Sequence, residues 1–131
     1  MSKTLTKRNY NSYLLCVSSL AYLAVGLLVI TKNPYLAILL FAVTLFSILH
    51  HRNFKNFILK SLDLFFSTFL LLYILNIRFD LFVLILLITL TVFRLFDYIL
   101  LKKENYGIFS YTHSLWHLVS GLAIVFAVVF A

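Results

Sequence analysis

The chain reads as an all-α polytopic membrane protein, a transmembrane helical bundle of about five spans, and three observations carry that reading. Of its 131 residues 63% are hydrophobic and only 11% charged, against roughly 45–50% and 25% in soluble domains. The apolar residues fall into five continuous runs, each near the roughly 20 helical residues needed to cross a hydrocarbon core about 30 Å thick. Within each run the hydrophobicity is unbroken, whereas the strands of a membrane barrel alternate with period two over about ten residues.

The first span is expected near 13–30. It follows a segment carrying Lys3, Lys7 and Arg8, exceeds the roughly 7–15 residues of a signal-peptide core and shows no clear small-residue cleavage site, so it is read as retained. The single cysteine, Cys16, has no partner for an internal disulfide and is read as a core thiol. The remaining spans are expected near 34–51, 57–75, 79–101 and 106–131. Connections this short force neighbouring helices antiparallel. With three glycines and one proline the chain offers almost no linker material, so residues 1–131 are read as a single integral membrane domain.

A net charge of +7 raises the question of nucleic acid. The cations, however, cluster at the ends of the apolar runs and do not line a face interleaved with stacking aromatics, so no nucleic-acid partner is expected. They read as topology signals. One side of the membrane collects Lys3, Lys7, Arg8, Arg52, Lys55, Lys60, Lys102 and Lys103, and the other only Lys32 and Arg78. The positive-inside rule then predicts a multi-pass protein with a cytoplasmic N-terminus and an external C-terminus.

Ionisable groups within a membrane cost on the order of 2.5–3.5 kcal/mol each on insertion scales, so their positions are informative. Ser47, His50 and His51 close the second span, Lys60 and Asp63 open the third, and His113 and His117 open the fifth. Antiparallel threading brings these three ends to one membrane face, the cytoplasmic one by the charge rule. Helical phase adds three stripes: Thr44, Ser47 and His51; Asn56, Lys60, Asp63 and Ser67; and His113, His117 and Ser120. Such stripes most simply turn toward one another around a hydrated pocket.

Imidazoles at i and i+4 present two nitrogens on one helical face, which suits a divalent metal with ligands about 2.0–2.1 Å away. His113 and His117 have that spacing, and a histidine from the second span would complete a three-histidine set with an open fourth position. Asp63 would hold or deprotonate a water there. Blander readings compete. The histidines are otherwise interfacial groups snorkelling to water or interhelical hydrogen-bonding partners, and Asp63 pairs with Lys60 one turn away. Arg94 and Asp97, at i,i+3, read as an intrahelical pair near the headgroups, or as residues that orient the site or a lipid head. Trp116, Tyr106 and Tyr111 read as interfacial belt residues.

The order of these motifs resembles the CREST superfamily of membrane hydrolases, which includes alkaline ceramidases, the progestin and adiponectin receptors and the GPI-lipid remodelling proteins. That family carries Ser-x-x-x-His on its second span, Asp on its third and His-x-x-x-His on its last. This chain has Ser47-Ile48-Leu49-His50-His51, then Lys60-Ser61-Leu62-Asp63, then His113-Ser114-Leu115-Trp116-His117. The resemblance implies zinc on His51, His113 and His117, a water held by Asp63, and Ser47 supporting the ligands. His50 offers an alternative register, although the spacing from Ser47 favours His51. Members typically have seven spans; loss of an even number preserves the direction of the last helix and leaves open whether one subunit, a homodimer or the bilayer encloses an acyl chain.

The function expected is metal-dependent hydrolysis of an amide or ester bond in a membrane lipid of ceramide-like kind, with Asp63 as general base and Ser47 bonding a ligand or the developing oxyanion. The rivals are a non-catalytic lipid-binding or interaction protein, and a small haem protein. Haem fits less well, because axial ligands approach from opposite sides of the ring whereas His113 and His117 face one way.

Overall fold

A computed structural model describes residues 10–129. The proposed topology charges Lys3, Lys7 and Arg8, and the expected end of the last span at Ala131, lie outside the described residues. Five α-helices follow in order: α1 (Ser12–Val29), α2 (Pro34–Arg52), α3 (Phe57–Ile77), α4 (Leu81–Lys102) and α5 (Tyr106–Val129). Each is long and apolar enough to cross a membrane.

Each helix begins where an Asn or Asp side chain satisfies amides that the first turn leaves unpaired. Asn11 accepts from Leu14 N, Asn33 from Leu36 N, Asn56 from Ile58 N and Leu59 N, Asp80 from Val83 N and Asn105 from Ile108 N. Pro34 sits in the first turn of α2, where its missing N–H costs nothing. These caps set the boundaries. The fourth helix begins at Leu81 and not at the expected 79, because Asp80 stands outside it as the cap.

Backbone packing runs as an open row, α3 against α2, α2 against α1, α1 against α5 and α5 against α4. The middle of the row is the best buried. Leu15, Ser18, Ser19, Tyr22, Val25, Gly26 and Val29 recur at three- and four-residue intervals and form the inward face of α1. The matching face of α5 runs from Phe109 and Ser110 through His113, His117, Ser120 and Gly121 to Ile124 and Ala127. Close approach of these two helices depends on small residues: a Cβ at Gly121 would lie 3.4 Å from the Ala21 Cβ.

The outer helices are mostly exposed. Only Leu70 and Ile74 of α3 and Val83, Asp97 and Leu100 of α4 are buried, while Phe65, Phe69, Ile85, Ile88 and Val92 face outward. In a bilayer such residues meet acyl chains with no penalty, which explains why α3 and α4 can stand apart with a cleft between them. Cys16 is half-buried and not in the core, its Sγ 3.7 Å from the Ile48 carbonyl.

Candidate metal centre

Three buried imidazoles meet where α2 and α5 converge. His51 is 2% exposed, His113 5% and His117 2%, and each offers a ligand atom within 4.8 Å of the other two. The ring centroids of His51 lie 5.3 Å from those of both His113 and His117, which are themselves 4.7 Å apart. The α5 pair is brought together by its helical spacing. His51 joins it because the face of α2 that carries Thr44 and Ser47, both buried, also carries His51.

Each ring is held through Nδ1 by a partner from another helix or from the segment before α1. The His113 Nδ1 lies 2.7 Å from Asp97 Oδ2, on α4. The carboxylate takes a second proton from Thr112 Oγ1 at 2.8 Å. The His117 Nδ1 lies 2.8 Å from Ser18 Oγ, and that hydroxyl gives its own proton to the Leu15 carbonyl at 2.9 Å. With its proton so committed, Ser18 accepts from His117. The His51 Nδ1 lies 3.1 Å from the Tyr10 hydroxyl, a phenol whose burial raises its pKa above the usual range and keeps it protonated.

With Nδ1–H donated to Asp97 and to Ser18, His113 and His117 keep their Nε2 lone pairs free, while His51 and the Tyr10 hydroxyl share one proton between them. The Nε2 of His51 is buried with no hydrogen-bond partner among the described residues. Orphaned buried polar atoms are uncommon and point to a ligand the chain does not itself supply. Three buried imidazoles whose outer nitrogens are held by partners form a set able to take a metal ion. Tetrahedral ligands at 2.0–2.1 Å stand roughly 3.3 Å apart, so modest rotation of the rings brings this set onto an ion. These three histidines can hold a metal ion. Rings converging on one point leave no flat slot between opposed imidazoles, so the cluster is unsuited to haem.

Comparison of the chain with protein-family models, curated protein sequences and solved structures finds no match. Its functional reading therefore rests on the site.

Ser47 and Asp63 both line the cavity of about 450 Å³ that the histidines border. The Ser47 Oγ lies 2.9 Å from Ser19 Oγ. Ser19 donates to the Leu15 carbonyl and lies 3.4 Å from His117 Nδ1, so Ser47 joins the hydroxyl group that supports His117. Asp63 is half-buried on the α3 wall and forms neither an ion pair nor a hydrogen bond among the described residues. His50 is half-buried and outside the three-ring set, which His51 joins.

Two expectations are corrected. Arg94 and Asp97 do not form an intrahelical pair, because the Asp97 carboxylate is turned to α5 and engaged by His113 and Thr112. Trp116 is no belt residue: it stacks on His113 at 5.7 Å, lies 5.3 Å from the Arg94 guanidinium and donates Nε1–H to the Leu90 carbonyl. Tyr111 is exposed, and Tyr106 packs edge-on against Tyr10 and Phe54. Sequence reasoning missed Ser18, Ser19 and Tyr10. The available signal was the run Ser18, Ser19, Tyr22 at the same membrane level as the histidines.

Proposed function

We propose that the chain is a zinc-dependent intramembrane hydrolase that cleaves an amide or ester bond of a lipid of ceramide-like kind, and that it is a reduced five-span relative of the CREST superfamily. The observation that carries this reading is the convergence of His51, His113 and His117 with their ligand atoms within 4.8 Å of one another. A zinc ion on those nitrogens supplies Lewis acidity, which polarises a carbonyl and acidifies water.

The chain's own residues supply the remainder. Asp63, on the α3 wall, takes the proton of the attacking water and returns it to the leaving amine or alcohol as the carbon–nitrogen or carbon–oxygen bond breaks. Asp97, Ser18 and Tyr10 hold the three rings through Nδ1, and Ser47 steadies the hydroxyls beside His117. Apolar walls from Leu70, Ile74, Val83 and Leu87 take the acyl chain, which enters from the bilayer through the sparse α3–α4 side or is enclosed by a second copy. The loop ends nearest the site carry Arg52, Lys55, Lys102 and Lys103, against Lys32 and Arg78 at the other ends, which supports a cytoplasmic site and N-terminus.

Elemental analysis of purified wild-type and His117→Ala protein, paired with a hydrolysis assay on ceramide-class lipid, tests the reading. Wild type is expected to carry on the order of one zinc per chain, as a three-histidine site does, and the variant none. Zinc and turnover both retained in His113→Ala and His117→Ala would overturn it. Zinc with tightly held lipid and no turnover would make the protein a lipid binder.

A further inference from the structure

The charged side chains lining the cavity balance in number but are not paired with one another. Lys60 on α3 and Arg94 on α4 face it from opposite walls, together with Asp63 and Asp97. Asp97 is spent on His113 and Thr112. Among the described residues the one contact between formal charges at ion-pair distance is Arg78 with Asp80, so neither Lys60 nor Arg94 has a carboxylate within ion-pair distance. Arg94 stands eight residues before the end of α4, about 12 Å along the helix at 1.5 Å per residue. A cation that far into a span calls for a counter-charge.

The guanidinium of Arg94, an exposed residue, lies against the site. It lies 5.3 Å from the centre of the Trp116 ring, which stacks on His113 at an interplanar angle of 2°. Its Nη1 is 3.4 Å from His113 Nδ1, but that nitrogen gives its proton to Asp97 and has no lone pair to offer, so the donors of Arg94 remain free for another acceptor. Imidazole ligands are neutral, so a divalent ion on them would keep its full charge and give the cavity a positive excess.

We propose that the cavity selects a phosphate-bearing lipid, with Arg94 as the residue that binds the phosphate beside the metal centre and Lys60 as a second cation on the facing wall. The guanidinium's planar fork matches phosphate oxygens, and the apolar depth beyond takes the chains. This names the substrate class for the hydrolase proposed above and rests on that reading for its chemistry, though not for the binding itself.

Trp116, the one tryptophan of the chain, reports directly. The experiment titrates purified full-length protein in nanodiscs, stripped of metal and zinc-loaded, with ceramide phosphate and with ceramide of the same chains, reading Trp116 fluorescence and lipid retention by native mass spectrometry. Ceramide phosphate is expected to bind about tenfold or more tighter in both states. Arg94→Gln should abolish the preference, Arg94→Lys should restore part of it, Lys60→Gln should weaken it, and Lys32→Gln, a loop control, should leave it intact. Far-UV circular dichroism checks that each variant is folded.

Competition by inorganic phosphate supports the phosphate as the recognised group; inorganic phosphate binding as tightly as the lipid would overturn the lipid assignment. Equal binding of the two lipids, or a preference untouched in folded Arg94→Gln and Arg94→Lys, would overturn the proposal. Preference in a protein that takes up no zinc would spare this subsite while sinking the hydrolase, and zinc uptake without preference would do the reverse.

Discussion

Asp97 on α4 and His113 on α5 are joined by a 2.7 Å bond from the imidazole Nδ1 to the carboxylate, with both side chains almost wholly buried. The pair links the outermost helix of the row to the metal centre. It also fixes which nitrogen of His113 is left free, so the carboxylate orients the imidazole proposed as a ligand.

Asp97→Asn keeps the size of the side chain and removes its charge. Zinc affinity should fall about 10- to 100-fold, the range found when a histidine ligand loses its outer carboxylate. Competition with a chromophoric chelator measures this, and an unchanged affinity would show that the pair is structural only.

The hydroxyl support of His117 is shared. Ser18 lies 2.8 Å from its Nδ1 and Ser19 3.4 Å, so Ser18→Ala should cost less metal affinity than Asp97→Asn. The double change to alanine should cost more than the sum of the two single ones, as expected for residues that substitute for each other. Strict additivity in chelator titrations would refute the sharing.

Two glycines should respond oppositely to alanine. A Cβ at Gly26 would lie 2.6 Å from Phe41 Cε1 and 3.4 Å from Leu40 Cβ, whereas at Gly121 the nearest atom is the Ala21 Cβ at 3.4 Å. Gly26→Ala must drive the Phe41 ring away from α1 and should destabilise by about 1–3 kcal/mol. Gly121→Ala should be within about 1 kcal/mol of wild type, helped by the reduced freedom of the unfolded chain. Thermal unfolding in one detergent, run side by side, ranks them.

Asp80 sets a pH dependence at the α3–α4 turn. Its carboxylate accepts from the Val83 amide and from Arg78, and these bonds hold its pKa below the ordinary carboxylate value. A depressed folded-state pKa means stability that is complete above the unfolded value of about 3.9 and lost as pH falls through the folded one. Asp80→Asn retains the cap and removes the titration. Wild type should therefore lose its stability advantage over this variant as the medium is acidified below about pH 4, and a difference independent of pH would contradict the assignment.

Much of the fold was legible because lipid imposes a simple rule. The five apolar runs begin after Asn or Asp residues that cap the helices in the structure, and the second helix starts at Pro34, where its span was expected to start. The histidine cluster was legible through spacing and span parity, which bring His51, His113 and His117 to one end whatever the packing. The partners were not. In α4 the apolar residues surround the helix, so nothing along it told which way Asp97 points, and Arg94 at i+3 offered a plausible local partner. Ser18 and Ser19 were hidden for another reason: both bond the Leu15 carbonyl one turn back, as serines in apolar helices commonly do, and sequence alone shows no second bond.

The three rings come from α2 and α5, and one of their supports from Ser18, 99 residues before His117. During synthesis α2 therefore emerges with Thr44, Ser47 and His51 on a face whose partner does not yet exist. That face must wait, sheltered by α1 or by the insertion machinery, until the last helix is made. The three-histidine set is therefore complete only once the last helix has been made, and a chain truncated before α5 should lack it.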